Sequence, residues 1–443
     1  MSDPLDDAEK SLLEDASKPL ENSTSEAYPR KDGKYREIAR IIGCCVSCAS
    51  AGWHDGCLGA LIPYLQRYYG GLSDEKISLL WLISFIGFTP ASLLNVTLST
   101  RLGLGRLLML GAAIQGIASA VIACQPPFSG LLICYVFAGF GMATQDAQFN
   151  TYIARLPGSA TKLGILHAFY GLGALASPVA ATLSMKADVP PPMFYLYNLA
   201  WCIVSIGVLI MGFGLGDGRS SEIKLQCEGQ EIRKVAPLRA VVSSRIVLTA
   251  LIFITLYSGS ETTEAGWVVS FLMRERGGGG RAGYASAAFY GGLTSSRILL
   301  LPLTAYLREN KAVALYVTVA LSTQLVIWLS PSFIANLVAV GACGFVMGPV
   351  YPVTVALVTK ATPHSYHPGA LSLMACVGQS GSALFPFLVG SMASVYGIEV
   401  LQHVLVSLFA VMFVIWKLVP APRITSLGYE DGDSKFTGDF DVA

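Results

Sequence analysis

The chain has 443 residues, of which 53% are hydrophobic and only 13% charged, whereas a soluble domain carries about 25% charged residues. That deficit excludes a soluble enzyme of this length, and a net charge of +1 excludes the strong field that nucleic acid binding needs. The ten cysteines sit mostly inside apolar runs (Cys44, Cys45, Cys48, Cys124, Cys134, Cys202, Cys343, Cys376). None is at metal-ligand spacing, so they read as small packing residues.

In chain order, residues 1–36 are acidic and polar with almost nothing to bury, and read as a disordered tail. They lack the early apolar core of a cleavable signal. Apolar segments of spanning length follow near 38–66, 77–99, 106–124, 130–154, 162–185, 193–214, 246–272, 283–306, 312–329, 333–358, 367–395 and 399–418. The fold class is an all-α membrane protein with twelve transmembrane helices. The longest polar break, 215–245, holds Asp217, Arg219, Glu222, Lys224, Glu228, Glu231, Arg233, Lys234 and Arg239. It divides the chain into a tail at 1–36, a first six-helix bundle at 37–215, a linker at 216–244, a second six-helix bundle at 245–418 and a tail at 419–443.

An even number of spans puts both termini on one side. That side carries Arg36, Arg40, Arg101, Arg106, Arg155, Lys162, the linker, Arg308, Lys311, Lys360, Lys417 and Arg423. The other side carries little beyond Arg67, Lys76, Lys186 and the Arg274/Arg276/Arg281 group. Positive charge therefore predicts cytoplasmic tails and a cytoplasmic linker.

The halves echo each other at an offset near 205. Gly87-Phe88-Thr89 matches Gly292-Leu293-Thr294, and Gly139-Phe140 with Met142 matches Gly344-Phe345 with Met347. Pro178 falls near Pro386, and Asp55 near Glu261. Repeats of this kind place a solute site at their interface, near the midplane.

With these features the chain resembles the major facilitator superfamily. The connection Asn95–Arg106 looks like a degenerate form of the family's signature between spans two and three. Arg101, Gly103, Gly105 and Arg106 match, and the acid is missing. The equivalent at Leu307–Lys311 is fainter. Span five, Gly164–Ala174 through Ser177-Pro178, looks like a fungal group distantly similar to sugar–proton symporters. The resemblance implies two pseudo-symmetric six-helix bundles and alternating access, with spans one, four, seven and ten lining a cavity.

Trp53, His54 and Asp55 lie in span one, in a run from Ile41 to Leu65 otherwise almost free of charge. A carboxylate at a helix centre costs roughly 2.5–3.5 kcal/mol on insertion scales, so Asp55 is expected to face water, as a proton carrier or a substrate contact. In span four, Gln145 and Gln148 are three apart and Asp146 and Asn150 four apart, giving two polar stripes side by side. They line a cavity or, as the alternative, glue helices together. In span seven, Glu261 and Glu264 share a face near Trp267. Two close carboxylates cannot both ionise cheaply in a low dielectric, which suits a proton carrier.

Arg297 in span eight needs a partner among Asp146, Glu261 and Glu264, or acts as a substrate anchor. His54 and His167 titrate near neutral pH when unperturbed, and are proton relays or packing residues. By depth, His167, Asp146 and Arg297 suit an inner gate. Trp53, Tyr170, Trp267, Tyr290 and Tyr351 are candidates to stack on a ligand, against packing as the alternative.

The expected function is a secondary transporter for a small organic solute, a sugar or a fungal metabolite, driven by protons. The candidate proton carriers are Asp55, Asp146, Glu261, Glu264, His54 and His167. The candidate substrate contacts are Trp53, Gln145, Gln148, Asn150, Trp267, Arg297 and Tyr351. The alternatives are an efflux pump for a secondary metabolite or toxin, and a non-transporting membrane sensor. The second would need a longer cytoplasmic extension than tails of about 36 and 24 residues supply. No nucleophile–base pair, metal cluster or ATP-binding Gly-rich loop is found, so no enzyme, cofactor or metal is expected. The expected partners are the solute, protons and the bilayer, not nucleic acid. The expected form is a plasma-membrane monomer.

Overall fold

The structure, a computed structural model, describes residues 34–215 and 237–418. Most of the expected tails and of the linker lies outside the described residues, but Lys34, Tyr35 and Arg36, expected in the disordered tail, are the first turn of a helix. The elements are α1 (Lys34–Tyr68), α2 (Asp74–Leu102), α3 (Leu104–Ala123), α4 (Phe128–Ala154), α5 (Ser159–Lys186) and α6 (Tyr195–Phe213). After the linker come α7 (Leu238–Ser243), α8 (Arg245–Glu275), α9 (Tyr284–Leu299), α10 (Leu301–Leu307), α11 (Glu309–Leu329), α12 (Phe333–Met347), α13 (Val350–Ala361), α14 (His367–Tyr396) and α15 (Val400–Leu418).

Ten stretches of described helix are long and apolar enough to cross a membrane. The first span, α1, falls short of that measure because it carries His54, Asp55 and many small residues. Span eight falls short because it breaks at Leu300, where α9 ends and Pro302 opens α10. Span ten breaks in the same way at Gly348-Pro349, between α12 and α13. Pro63, Pro90, Pro178 and Pro386 sit inside helices, which a membrane protein tolerates because neighbours re-satisfy the freed backbone groups. Part of the expected linker is ordered: α7 buries Val241 and packs against α8 and α14.

The pairing pattern repeats. In the first bundle α1 packs on α5 and α6, α2 on α4, and α3 on α4 and α6. In the second, α8 packs on α14 and α15, α9 on α12, and α11 on α12 and α15. The bundles meet through α2 against α14, α5 against α9, and α1 against α8 and α9. Large apolar side chains left exposed, such as Leu93, Ile117, Met211 and Ile334, form the surface that lipid covers.

Glycine permits the close crossing of α1 on α5. A Cβ on Gly52 would stand 2.0 Å from Tyr170 O, and one on Gly173 would stand 2.1 Å from Ala49 O. Both obstacles are backbone, which cannot swing aside. Gly52→Ala is therefore expected to destabilise the protein by about 1–3 kcal/mol through overpacking. Thermal unfolding in detergent reads this directly, and an unchanged midpoint would mean the helices are not so close.

Candidate functional site

The α1–α5 crossing carries Asp55 to the centre of the molecule. Tyr170 Oη donates to Asp55 Oδ2 at 2.8 Å. Asp55 lies within electrostatic reach of Asp146 on α4 and of Glu261 on α8, and Tyr170 within reach of Tyr290 on α9. Acids from both bundles thus converge on one cleft.

On the first-bundle wall, Asp146 is exposed and accepts from Asn150 Nδ2 at 3.2 Å. Across the cleft it interacts with Tyr351 on α13. On the second-bundle wall, half-buried Glu261 lies beside Tyr257 and Arg297. Arg297 also acts on His167, which is exposed on α5. Of the partners the sequence left open for Arg297, Glu261 is the one it interacts with; Asp146 and Glu264 have other neighbours. Arg297 Nε is buried and keeps no hydrogen-bond partner.

Other candidates are placed away from the cleft. Gln145 Nε2 donates to Gln115 Oε1 at 2.8 Å, and Gln148 Nε2 donates to Asn95 Oδ1. The stripe of amides is therefore turned onto α3 and α2, as interhelical glue, while the Asp146/Asn150 stripe faces the cleft. Trp53 donates from Nε1 to Asn198 Oδ1 at 3.0 Å and stacks on Phe194. His54 is buried, with Nδ1 3.1 Å from the Asn198 amide and its ring against Tyr135. Both lie inside the first bundle, because residues next to Asp55 on a helix face other directions. Trp267 is wholly buried, donates from Nε1 to Pro386 O at 2.9 Å and meets Trp81 of the other bundle at 5.6 Å. Glu264 is wholly buried inside the second bundle, not in the cleft.

The cleft is shut at the end opposite the chain termini. Arg274 at the end of α8 donates to both oxygens of Asp74 at 2.7 Å, and to Gln66 Oε1 at 3.0 Å. Gln66 Nε2 in turn donates to Asp74 Oδ1 at 2.8 Å. Glu75 N donates to Ser394 Oγ at 2.7 Å, and Lys186 Nζ to Tyr284 Oη at 3.4 Å. The described hydrogen bonds that join the bundles all fall at this distal end. The sequence reading missed this latch. Its signal was present, in an apolar span ending on Arg274 and another opening on Asp74, but only the fold brings the two together.

A model of the Major Facilitator Superfamily matches residues 44–311. The chain is 24% identical over 410 residues to Bypass of stop codon protein 6 of Saccharomyces cerevisiae, covering 86% of this chain and 82% of that protein. It is 21% identical over 344 residues to the glucose/mannose transporter GlcP of Bacillus subtilis, covering 75% of this chain and 82% of that one. Among solved structures, a D-xylose-proton symporter is similar with a TM-score of 0.72 at 12% identity, over 87% of this chain and 99% of that chain. The nucleoside transporter NupG is similar with a TM-score of 0.67, also at 12% identity and over the same shares.

Proposed function

This chain belongs to the Major Facilitator Superfamily, a family of transporters and not of enzymes, and on that premise we propose that it carries a small polyhydroxylated solute by alternating access, coupled to protons. The observation that supports this most is the meeting of Asp55–Tyr170 with Glu261 and Arg297 across the cleft. Three acids, Asp55, Asp146 and Glu261, lie within reach of one another there, and one guanidinium, Arg297, stands beside Glu261. Closing the cleft would take them out of water, and like charges in a low dielectric repel. Protonating an acid removes that cost, so a proton favours the closed form and is carried with the solute. Asp146, Asn150, Arg297 and Tyr351 are then the groups that hydroxyls would meet. His167 stands beside Arg297 as a relay.

The similarity to a xylose symporter and a hexose transporter supports a sugar-sized solute. The distribution of Lys and Arg supports cytoplasmic termini. With that orientation the latched distal end faces outward, and the cleft opens to the cytoplasm.

Ligand-induced thermal stabilisation tests the substrate class. A true ligand at a hundred times its dissociation constant adds about 2.7 kcal/mol, which raises the unfolding midpoint by several degrees. D-xylose, D-glucose and D-mannose are expected to do so for the wild type and to fail with Asp146→Asn. A panel in which sugars are silent and only amphipathic metabolites stabilise would replace this reading with that of an exporter.

A further inference from the structure

Glu264 lies one helical turn from Glu261 on α8, but the cleft does not reach it. Its side chain is wholly buried, and neither Oε1 nor Oε2 has a hydrogen-bond partner. Gln324 on α11 stands beside its carboxyl. Gln324 Nε2 donates to Gln402 Oε1 on α15 at 2.5 Å. Both amides are wholly buried too, and each keeps an orphan atom, Gln324 Oε1 and Gln402 Nε2. The cluster therefore holds three unpaired acceptors and one unpaired donor.

Buried polar atoms are almost always paired, and each exception asks for an explanation. An ionised Glu264 would be an isolated charge in the core, where an uncompensated charge is not kept. One added proton resolves every orphan together. We propose that Glu264, Gln324 and Gln402 form a proton-binding site in the core of the second bundle, separate from the acids of the cleft. In it the Glu264 O–H donates to Gln324 Oε1, and the remaining carboxyl oxygen accepts from Gln402 Nε2.

The surroundings fit a proton better than a metal cation. Gln402, bonded to Gln324, brings to the cluster an N–H that has no partner of its own. The titratable group that feels Glu264 from a neighbouring helix is Cys343 on α12. Glu261 is the acid on its own helix. The other helices packed on α8 bring Phe385 and Pro386 (α14), Ser286 (α9), Gly59 (α1), Val241 (α7) and, against Tyr257, the phenol of Tyr351 (α13). None of these carries a formal charge at neutral pH. The site needs no solute, so it stands or falls apart from the transport reading.

Infrared spectroscopy of the full-length protein in lipid vesicles reads the site, because an un-ionised carboxylic acid has a carbonyl stretch distinct from those of carboxylates and amides. The wild type is expected to keep this band at neutral pH and above. The band should be lost in Glu264→Gln and retained in Asp55→Asn and Glu261→Gln. In Gln324→Leu it should move to higher frequency, since the O–H loses its acceptor, and this variant reads the site even if Glu264→Gln does not fold. A band that survives unchanged in Glu264→Gln and Gln324→Leu would overturn the proposal. So would one that appears only once sodium and potassium are removed, which would make the cluster a cation site.

Discussion

Asp55→Asn is expected to abolish gradient-driven accumulation of solute while leaving exchange of solute across the membrane intact. Each coupled proton moving down a one-unit pH gradient supplies about 1.4 kcal/mol, enough for about tenfold accumulation. The variant should show none of that. Asn is close in shape to Asp and keeps an oxygen to accept from Tyr170 Oη, so the 2.8 Å contact that joins α1 to α5 can persist. What it cannot do is gain and lose a proton. The variant thus separates coupling from binding: loss of exchange as well would point to a structural or substrate role. Tyr170→Phe is the companion. It removes the donor while leaving the acid, so coupling should survive with an altered pH dependence. Accumulation by Asp55→Asn equal to the wild type would remove Asp55 from the coupling mechanism.

Cutting the distal latch gives the second large effect. Asp74 is buried with 6% of its side chain exposed, while Arg274 keeps 38%. Removing one partner of a fully buried pair costs about 3–5 kcal/mol, because the other charge is left stranded. With Arg274 partly wet, about 2–3 kcal/mol is expected for Arg274→Ala. That loss falls on the latched conformation, where the pair exists. The balance between conformations should then move about 30- to 150-fold toward the form open at the distal end. A cysteine introduced at Ser78, buried in the latched seam, reports it. With the exposed Cys124 replaced by Ser, labelling by a membrane-impermeant thiol reagent should be slow while Arg274 is intact and fast with Arg274→Ala. Equal rates would mean that the aromatic and glycine contacts hold the end shut without the ion pair. Asp74→Arg combined with Arg274→Asp should restore slow labelling if the charges themselves matter.

Much of the architecture was legible in the sequence, because spanning length and apolar composition are one-dimensional signals. Twelve stretches, the break after span six and the echo between halves all come from spacing alone. The breaks at Leu300 and Pro349 were less visible, since a helix that restarts within one residue hardly alters the hydropathy. The site was legible by residue type and less so by direction. An acid in an apolar run announces itself, so Asp55, Asp146, Glu261 and Arg297 could be singled out. Which way a polar side chain turns depends on helix rotation and on partners far along the chain. Gln145 and Gln148 turn to Gln115 and Asn95, His54 and Trp53 to Asn198, and Glu264 to Gln324. No local pattern carries those pairings. Arg274 and Asp74, 200 residues apart, are the plainest case.

Because the described hydrogen bonds between the bundles gather at one end, the two faces of this conformation differ for any blocking agent. A bulky inhibitor added on the latched side meets Trp81, Trp267 and the Arg274 cluster as a closed lid and has nothing to enter. One delivered from the side of the chain termini can wedge between Asp146 and Tyr351 and hold the halves apart. Pharmacology on this carrier would therefore be sided, and a compound potent only from the side of the chain termini would be its mark.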